Sequence, residues 1–378
     1  MSEAERRHHI CLIPGLFGFG VLAGYDYFEH LERALLRRFA DAGVRLGISV
    51  VSSPPTASIS VRAAVLARHL AQVEQAGPVH LLGHSTGGLD ARLLLSPGVQ
   101  LPLVGAGAAA KARVRGVVSI NTPHYGTPLA GYFTTVAGTR MLYLLSLLTV
   151  MSLGLGRIPL AALSGVLGAI SGLDRKLGVQ IRFLDEITTQ LLRFVGDDGR
   201  EQILDYLSHV KHDQGGIVHL MPEVMELFNA AVSDAPDVRY GCVATLAPAP
   251  GSRRVLSAVG RPGRAFHYAA YTTVHGVAGR ATERYPYALP TSAQLAKLSQ
   301  LAEEPPTPAW VDGIVPTLSM LWGKLLWCGH GDHLDVMGHF GDPRRPHPHT
   351  DWLRSGAKFD RADFDAMCDS IANFLLSD

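Results

Sequence analysis

A serine flanked by glycines lies in the first quarter of the chain, in the segment Gly83-His84-Ser85-Thr86-Gly87. This spacing is typical of a sharp turn between a strand and a helix, which strains the serine backbone and exposes its hydroxyl. An apolar, strand-like segment at 79–82 precedes the turn, and a helix-forming segment at 89–95 follows it. The sequence therefore predicts Ser85 as a nucleophile.

A serine hydroxyl is a poor nucleophile unless a general base activates it, and the base needs an acid to orient it. On this type of turn, the acid and then a histidine follow the serine along the chain. No aspartate lies between Asp237 and Asp312, and a glycine that suits a tight loop follows Asp312. Asp312 is therefore the predicted acid.

The choice of histidine is less restricted, because several crowd the segment beyond Asp312. These are His330, His333, His339, His347 and His349. His333, in Gly331-Asp332-His333-Leu334-Asp335, is the leading candidate, and spacing alone leaves His330 and His339 as alternatives. Such a cluster would also suit a metal ion, but the Pro-His-Pro-His stretch at 346–349 is more typical of a solvated loop.

Acyl transfer by a serine also needs hydrogen-bond donors for the negative charge of the tetrahedral intermediate. One donor is expected to be the backbone N–H of Thr86, directly after the nucleophile. The other is expected from the glycine-rich loop at 14–20, with the Leu16 N–H as the candidate, since glycines let a backbone approach the substrate closely. A merely flexible connection is the alternative interpretation of this loop.

The elements that must position these residues alternate between strand and helix. Strands are predicted at 9–13, 46–51, 79–82 and 114–120, and helices at 27–42, 60–75 and 87–95. Further on, the pattern predicts a helix at 222–232, a strand at 238–245 and a final helix at 363–376, while 247–308 stays unassigned. This alternation predicts a doubly wound, mostly parallel sheet.

The alternation stops between residues 129 and 216. Two apolar runs, 141–156 and 158–173, are each 16 residues long, and a membrane-spanning helix needs about 20. The sequence predicts a helical lid over an apolar site, with a buried core insertion and a membrane hairpin as alternatives. The predicted organisation is a core of residues 1–128 and 217–378 with a lid insertion at 129–216.

Composition narrows the class of protein. Of 378 residues, 47% are hydrophobic and 18% charged, with a net charge of +1, which favours a packed globular protein and no nucleic-acid partner. Four cysteines without CxxC spacing predict no required disulfide, and Cys11 and Cys242 lie in apolar runs that predict buried thiols. The N-terminal segment lacks a convincing signal peptide, so a cytoplasmic location is expected.

Together these motifs resemble the bacterial true lipases of the Pseudomonas and Burkholderia type. The similarity covers most of the chain outside the lid and 247–308, and its motifs occur in order, at 12–19, 24–28, 83–88, 121–127, 223–230, 312–315 and 333–335. It implies an α/β-hydrolase fold, ester hydrolysis and a triad of Ser85, Asp312 and His333. It also implies that Arg62 supports the oxyanion loop, with a surface arginine on the second helix as an equal interpretation.

The chain departs from this family in three ways. Pro14 replaces the histidine that usually precedes the glycine; because the expected donor is a backbone N–H, this replacement should not remove it. The family's disulfide has no evident counterpart. The resemblance also implies a structural calcium ion held by two aspartates, of which only Asp335 has a match. Glu283 or Glu303 would have to replace the other, so the sequence predicts no required cofactor.

The predicted function is therefore hydrolysis of carboxylic esters with aliphatic acyl chains through an acyl-enzyme, with peripheral contact of the lid at a lipid surface. An acyltransferase using the same acyl-enzyme, and a non-catalytic lipid-binding protein on a hydrolase scaffold, are the alternatives. Triacylglycerols, short-chain esters and polyesters all remain open as substrates, as does the oligomeric state.

Overall fold

The structure is a computed structural model that describes residues 7–18, 21–22, 25–74, 77–101, 111–135, 138–139, 142, 146, 197–251, 262–280, 287–340 and 355–377. Apart from Leu142 and Ser146, the two apolar runs of the predicted lid lie outside the described residues.

Eight strands are described: β1 (Arg7–Ile13), β2 (Val21–Leu22), β3 (Tyr25–Asp26), β4 (Arg45–Val50), β5 (Val79–His84), β6 (Val114–Ile120), β7 (Arg239–Leu246) and β8 (Lys324–His330). The described helices are α1 (Glu29–Asp41), α2 (Ile59–Ala71), α3 (Gly87–Leu95), α4 (Pro128–Phe133), α5 (Asp197–His212), α6 (Gly215–His219), α7 (Pro222–Ala231), α8 (Pro262–Ala278), α9 (Ser292–Leu298) and α10 (Arg361–Leu376). Short 3-10 turns occur at Thr317–Met320 and Asp335–Met337.

Six of the strands form one parallel sheet in the order β4-β1-β5-β6-β7-β8. Successive residues of a strand face opposite sides of a sheet. Ile10 and Leu12 accordingly pack in a core layer with α1 and α10, whereas Cys11 and Ile13 pack in a layer with α2 and α3. This confirms the predicted doubly wound sheet, covered by helices on both faces.

The order of the strands creates a crevice between β1 and β5. The chain leaves β1 through α1 to reach β4 on one side, and α2 then brings it back across β1 to β5. Where neighbouring parallel strands connect in opposite directions, a crevice opens at their carboxyl ends. The glycine-rich loop after β1 and the turn after β5 therefore lie next to each other.

The predicted elements agree with the structure to within a few residues, but other described elements lay outside the prediction, among them β8, α8 and α9. Strand β8 is a short apolar segment, and α8 and α9 fall in the segment that stayed unassigned. Helix α8 has a buried face of Tyr271, Val274 and Ala278, a spacing that was present in the sequence. The predicted burial of Cys11 and Cys242 is confirmed, and both are free thiols.

Part of the predicted lid packs into the main core. Ile203, Tyr206, Leu207 and Val210 of α5 are buried in the same cluster as the inner face of α1. The described residues thus tie the end of the insertion firmly to the sheet. None of the described helices combines the length and the apolar character needed to cross a bilayer.

Candidate active site

Ser85 occupies the turn between β5 and α3 in a strained backbone conformation. Its φ angle is +53°, in the left-handed region that non-glycine residues seldom adopt. The flanking glycines explain the turn: a Cβ added at Gly83 would lie 2.3 Å from the carbonyl carbon of Gly87, and one at Gly87 would lie 2.3 Å from the carbonyl oxygen of Ile13. Only glycine therefore lets strand, turn and helix pack this closely.

Among the backbone N–H groups near Ser85, the two that the sequence singles out have no acceptor in the part of the chain that the structure describes. They belong to Leu16, in the loop after β1, and to Thr86, the N-cap residue of α3. The N-terminus of α3 adds a partial positive charge at the same place. These two residues are the donors that the sequence predicts.

The loop after β1 is held against the nucleophile turn. Phe17 has a φ angle of +61°, and its N–H donates to the Pro55 carbonyl oxygen at 2.9 Å. A Cβ added at Gly15 would lie 2.5 Å from the Cβ of Ser85, so the loop backbone packs directly on the serine. The described part of the loop, residues 14–18, is therefore packed against the turn and hydrogen-bonded to the segment after β4.

Arg62 supports this loop from behind. Its side chain is fully buried and donates to the carbonyl oxygens of Pro14 and Pro54 and, from Nε, to Asp90 Oδ2 at 2.9 Å. The interpretation of Arg62 as a surface arginine is therefore wrong. Burial raises the pKa of Asp90, while the adjacent Arg62 guanidinium opposes that rise.

Asp312 and His333 are in direct contact. His333 Nδ1 lies 2.6 Å from Asp312 Oδ2, and both side chains are buried. The other carboxylate oxygen, Oδ1, accepts the N–H groups of Ile314 at 2.8 Å and Val315 at 2.7 Å. The backbone of this loop thus orients the Asp312 carboxylate, and the carboxylate in turn orients the His333 imidazole.

A compact turn after β8 carries His333. Asp335 Oδ2 accepts the Asp332 N–H at 2.8 Å, and Asp332 Oδ1 accepts the N–H groups of Leu334 and Asp335 at 3.1 and 3.2 Å. Ser355 Oγ donates to Asp332 Oδ2 at 2.7 Å. Carboxylates on both sides of His333 therefore fix its backbone.

The other described histidines of the cluster have different surroundings. His330 is exposed at the end of β8, and His339 is buried, with Nε2 3.3 Å from the Tyr27 carbonyl oxygen. His347 and His349 lie outside the described residues. Among the histidines described, His333 is the one hydrogen-bonded to Asp312.

Ser85 and His333 open into one cleft. Its walls are almost entirely apolar and are formed mainly by Leu16, Phe17, Leu129, Phe133, Ile217, Leu220, Ile314, Val315 and Leu334. A cleft with apolar walls and a few polar groups suits an organic ligand with an extended apolar part.

Two of the residues considered for the calcium site that the family resemblance implies, Asp335 and Glu303, lie in the described part of the chain. The Asp335 carboxylate is used within the His333 turn, and Glu303 is exposed. No group of three or more His, Cys, Asp or Glu side chains with metal-binding geometry occurs in the described part of the chain. Glu283 lies outside that part.

A six-stranded parallel sheet in the order β4-β1-β5-β6-β7-β8, with helices on both faces and a strained serine turn after β5, is the α/β-hydrolase fold. Two solved structures share it: EstA from Clostridium botulinum, with a TM-score of 0.50 and 18% identity over 93% of this chain and 86% of that one, and the lipase of Staphylococcus hyicus, with a TM-score of 0.50 and 17% identity over 99% and 97%. The predicted fold class is confirmed.

Among curated proteins, the chain is 36% identical over 132 residues to a triacylglycerol lipase of Vibrio cholerae. This match covers 33% of the chain and 36% of that relative, so it spans about a third of the relative's length. No protein-family model matches the chain.

Sequence reasoning overlooked two side chains that contact this site. The Tyr206 hydroxyl, from α5, donates to the Phe17 carbonyl oxygen at 2.9 Å. His84 contacts the carbonyl oxygen of His333. Tyr206 lies in an insertion without a motif, and His84 occupies a variable position of its motif, so only its adjacency to Ser85 offered a signal.

Proposed function

We propose that this protein is a carboxylic ester hydrolase, an esterase or lipase in which Ser85, His333 and Asp312 act as a catalytic triad. One observation carries the proposal: Ser85, at a left-handed turn, shares an apolar cleft with a histidine whose Nδ1 is 2.6 Å from a buried carboxylate. The partial similarity to a triacylglycerol lipase supports the same class.

The hydrogen bond to Asp312 holds the proton of His333 on Nδ1 and leaves Nε2 as the base. His333 removes the Ser85 proton while Oγ attacks the ester carbonyl carbon. The tetrahedral intermediate collapses as the bond to the alcohol oxygen breaks, and His333 returns the proton to the leaving alcohol. Water, deprotonated by the same Nε2, then attacks the acyl-enzyme, releases the carboxylic acid and restores Ser85.

The negative charge of each intermediate falls on the former carbonyl oxygen. The N–H groups of Leu16 and Thr86, which have no acceptor among the described residues, are the proposed donors. Removing one such donor from a serine hydrolase costs about 100- to 1,000-fold in rate. The anchoring of the loop by Arg62 keeps the Leu16 donor in place before the substrate arrives.

The apolar cleft walls favour an aliphatic acyl chain over a charged substrate, because a charged group would lose its hydration there without a partner. The proposal therefore covers esters of aliphatic acids. The preferred chain length decides between an esterase and a lipase.

The test is hydrolysis of p-nitrophenyl butyrate and p-nitrophenyl palmitate by the wild type, Ser85→Ala and Ser96→Ala. Ser96 is buried at the end of α3, where its hydroxyl accepts the Ser233 N–H, and serves as a matched control. The proposal expects turnover by the wild type and by Ser96→Ala, and none by Ser85→Ala. Equal turnover by Ser85→Ala would exclude Ser85 as the nucleophile.

Two further measurements separate the alternatives. An added alcohol that diverts most of the acyl group into a new ester would identify an acyltransferase. A fluorophosphonate probe that leaves wild-type Ser85 unlabelled would favour a non-catalytic lipid-binding protein. Labelling at Ser85, with free acid as the main product, is the result that the proposal expects.

A further inference from the structure

His84, the residue before the nucleophile, links the nucleophile turn to the loop that carries the base. Its side chain is buried, and its Nε2 lies 2.9 Å from the backbone carbonyl oxygen of His333. Its Nδ1 lies 2.6 Å from the hydroxyl of Tyr27, which is itself 3% exposed. The imidazole rings of His84 and His333 are 4.8 Å apart.

These contacts determine which nitrogen of His84 carries the proton. A carbonyl oxygen only accepts hydrogen bonds, so Nε2 must be the donor towards His333. In a neutral imidazole Nδ1 is then an acceptor, and the Tyr27 hydroxyl must donate to it. Burial and the nearby His333 lower the pKa of His84 well below its usual value, which keeps the ring neutral.

The contact between His84 and His333 bridges a distance that the strand order of the sheet imposes. Strands β6 and β7 separate β5 from β8, and three inter-strand spacings amount to about 14 Å. His333 must reach back over that distance to lie beside Ser85. Asp312 orients the imidazole of His333 but not its backbone, whereas His84 is bonded covalently to Ser85 and holds the His333 backbone directly.

We infer that Tyr27 and His84 are positioning residues, which hold the backbone of His333 at the distance from Ser85 that proton transfer requires. Tyr27 fixes the tautomer of His84, and that tautomer binds the His333 carbonyl oxygen. A neutral His84 also adds no electrostatic repulsion to the positive charge that His333 acquires during the reaction. The inference rests on the proposed function, because it assigns these two residues to the same triad.

Tyr27→Phe removes the one hydroxyl that selects the tautomer and retains the ring. Without it, Nδ1–H becomes accessible, and the lone pair of Nε2 would then face the carbonyl oxygen. We expect kcat for p-nitrophenyl butyrate and the rate of fluorophosphonate labelling of Ser85 to fall together by about 10-fold, with KM within about 2-fold of wild type. Tyr240→Phe is the matched control, because the Tyr240 hydroxyl bonds to the Ala235 N–H near the opposite end of β7.

A pair of substitutions at His84 tests the donor itself. His84→Gln keeps an N–H donor for the His333 carbonyl oxygen, whereas His84→Leu fills the space without one. The inference expects His84→Gln to retain more activity than His84→Leu at equal thermal stability. Nitrogen-15 NMR of the histidines in Ser85→Ala should show a neutral Nε2–H tautomer for His84 that is lost in the Tyr27→Phe background.

Three outcomes would overturn the inference: wild-type kcat and labelling in Tyr27→Phe, a raised KM with unchanged kcat, or equal activity of the two His84 variants. Failure of the proposed function gives a different result, because the wild type itself would then neither hydrolyse esters nor react with the probe. The NMR experiment on Ser85→Ala needs no activity and still reports the tautomer in that case.

Discussion

At the scale of single residues, the Asp312 carboxylate accepts hydrogen bonds beyond the one that orients His333. Oδ1 is held by two backbone N–H groups, and Oδ2 is left to His333. The carboxylate is therefore positioned by the backbone of its own loop. A substitution that keeps this loop intact can test the electrostatic role of Asp312 separately from its structural role.

Asp312→Asn is that substitution, because the amide oxygen can still accept the N–H groups of Ile314 and Val315. The amide nitrogen would then face His333 Nδ1 and favour the wrong imidazole tautomer. We expect kcat for p-nitrophenyl butyrate to fall by about 10⁴-fold with little change in the free energy of unfolding. Asp365→Asn, which changes a surface carboxylate paired with Arg38 and Arg361, should remain active. Loss of more than about 2 kcal/mol of stability in Asp312→Asn would show that the carboxylate is mainly structural.

Arg62 connects a buried charge pair to the oxyanion loop. A pair of variants separates its contribution to stability from its contribution to activity. Arg62→Met leaves the Asp90 carboxylate buried without its cation and should lower the free energy of unfolding by about 3–5 kcal/mol in urea titrations. Adding Asp90→Leu should restore much of that stability. Activity should stay low in the double variant, because the Pro14 carbonyl oxygen still lacks its donor. Full recovery of kcat would mean that Arg62 acts only through stability.

At the scale of elements, α5 connects the insertion to the oxyanion loop. Tyr206 Oη donates to the Phe17 carbonyl oxygen at 2.9 Å. Nearby, Thr56 Oγ1 donates to the His209 carbonyl oxygen of α5 at 3.2 Å, and the Thr56 carbonyl oxygen accepts the Gly216 N–H of α6 at 2.9 Å. Since Phe17 is in a left-handed conformation, its neighbours must hold it there. Helix α5 therefore contacts the backbone of the residue that follows Leu16, the proposed donor.

Tyr206→Phe tests this connection. Loosening the loop should weaken binding of a trifluoromethyl ketone, which forms an oxyanion on Ser85, and lower kcat in the same proportion, by about 3- to 30-fold. KM should change little, because the ring still packs in the core. Tyr268→Phe, which removes a partly exposed hydroxyl that bonds to the Gly251 carbonyl oxygen, is the control. Unchanged inhibitor affinity in Tyr206→Phe would exclude the connection.

At the scale of the whole molecule, buried histidines make stability depend on pH. Burial lowers the pKa of His80 to about 3 and that of His84 and His124 well below the usual value. His80 lies against His8, and the positive charges of Arg115 and Arg239 lower its pKa further. In the unfolded chain each of these histidines would titrate near 6.5.

The sign follows from the lowered pKa values. Below about pH 6.5 the unfolded chain binds more protons than the folded one, so the stability that is present above this pH is lost on acidification, by up to about 1.4 kcal/mol per pH unit for each histidine. Urea unfolding at pH 7.5, 5.5 and 4.5 should show this decline, and His80→Gln should reduce its slope by one proton. Equal slopes in wild type and His80→Gln would contradict the prediction.

The features that could be predicted from the sequence are those set by residues close together along the chain. The alternation of apolar strands with helices predicted the doubly wound sheet, and Gly83, Ser85 and Gly87 predicted the turn after β5, because strands, helices and tight turns reflect preferences of neighbouring residues. Strand β8 and helix α8 escaped prediction because a short apolar segment and a glycine-rich segment are ambiguous without their packing partners.

Which residues contact each other in the site was decided by the tertiary structure. From the sequence, His330, His333 and His339 were separated only by spacing and resemblance, whereas in the structure His333 lies against Asp312. The contact between His84 and His333 joins residues 249 positions apart, and that between Tyr206 and Phe17 joins residues 189 positions apart. Such contacts depend on which strands are adjacent and where each connection crosses the sheet. By itself the sequence therefore determined the class of the fold and the serine at the strained turn after β5, whereas only the folded chain decided which side chains surround that serine.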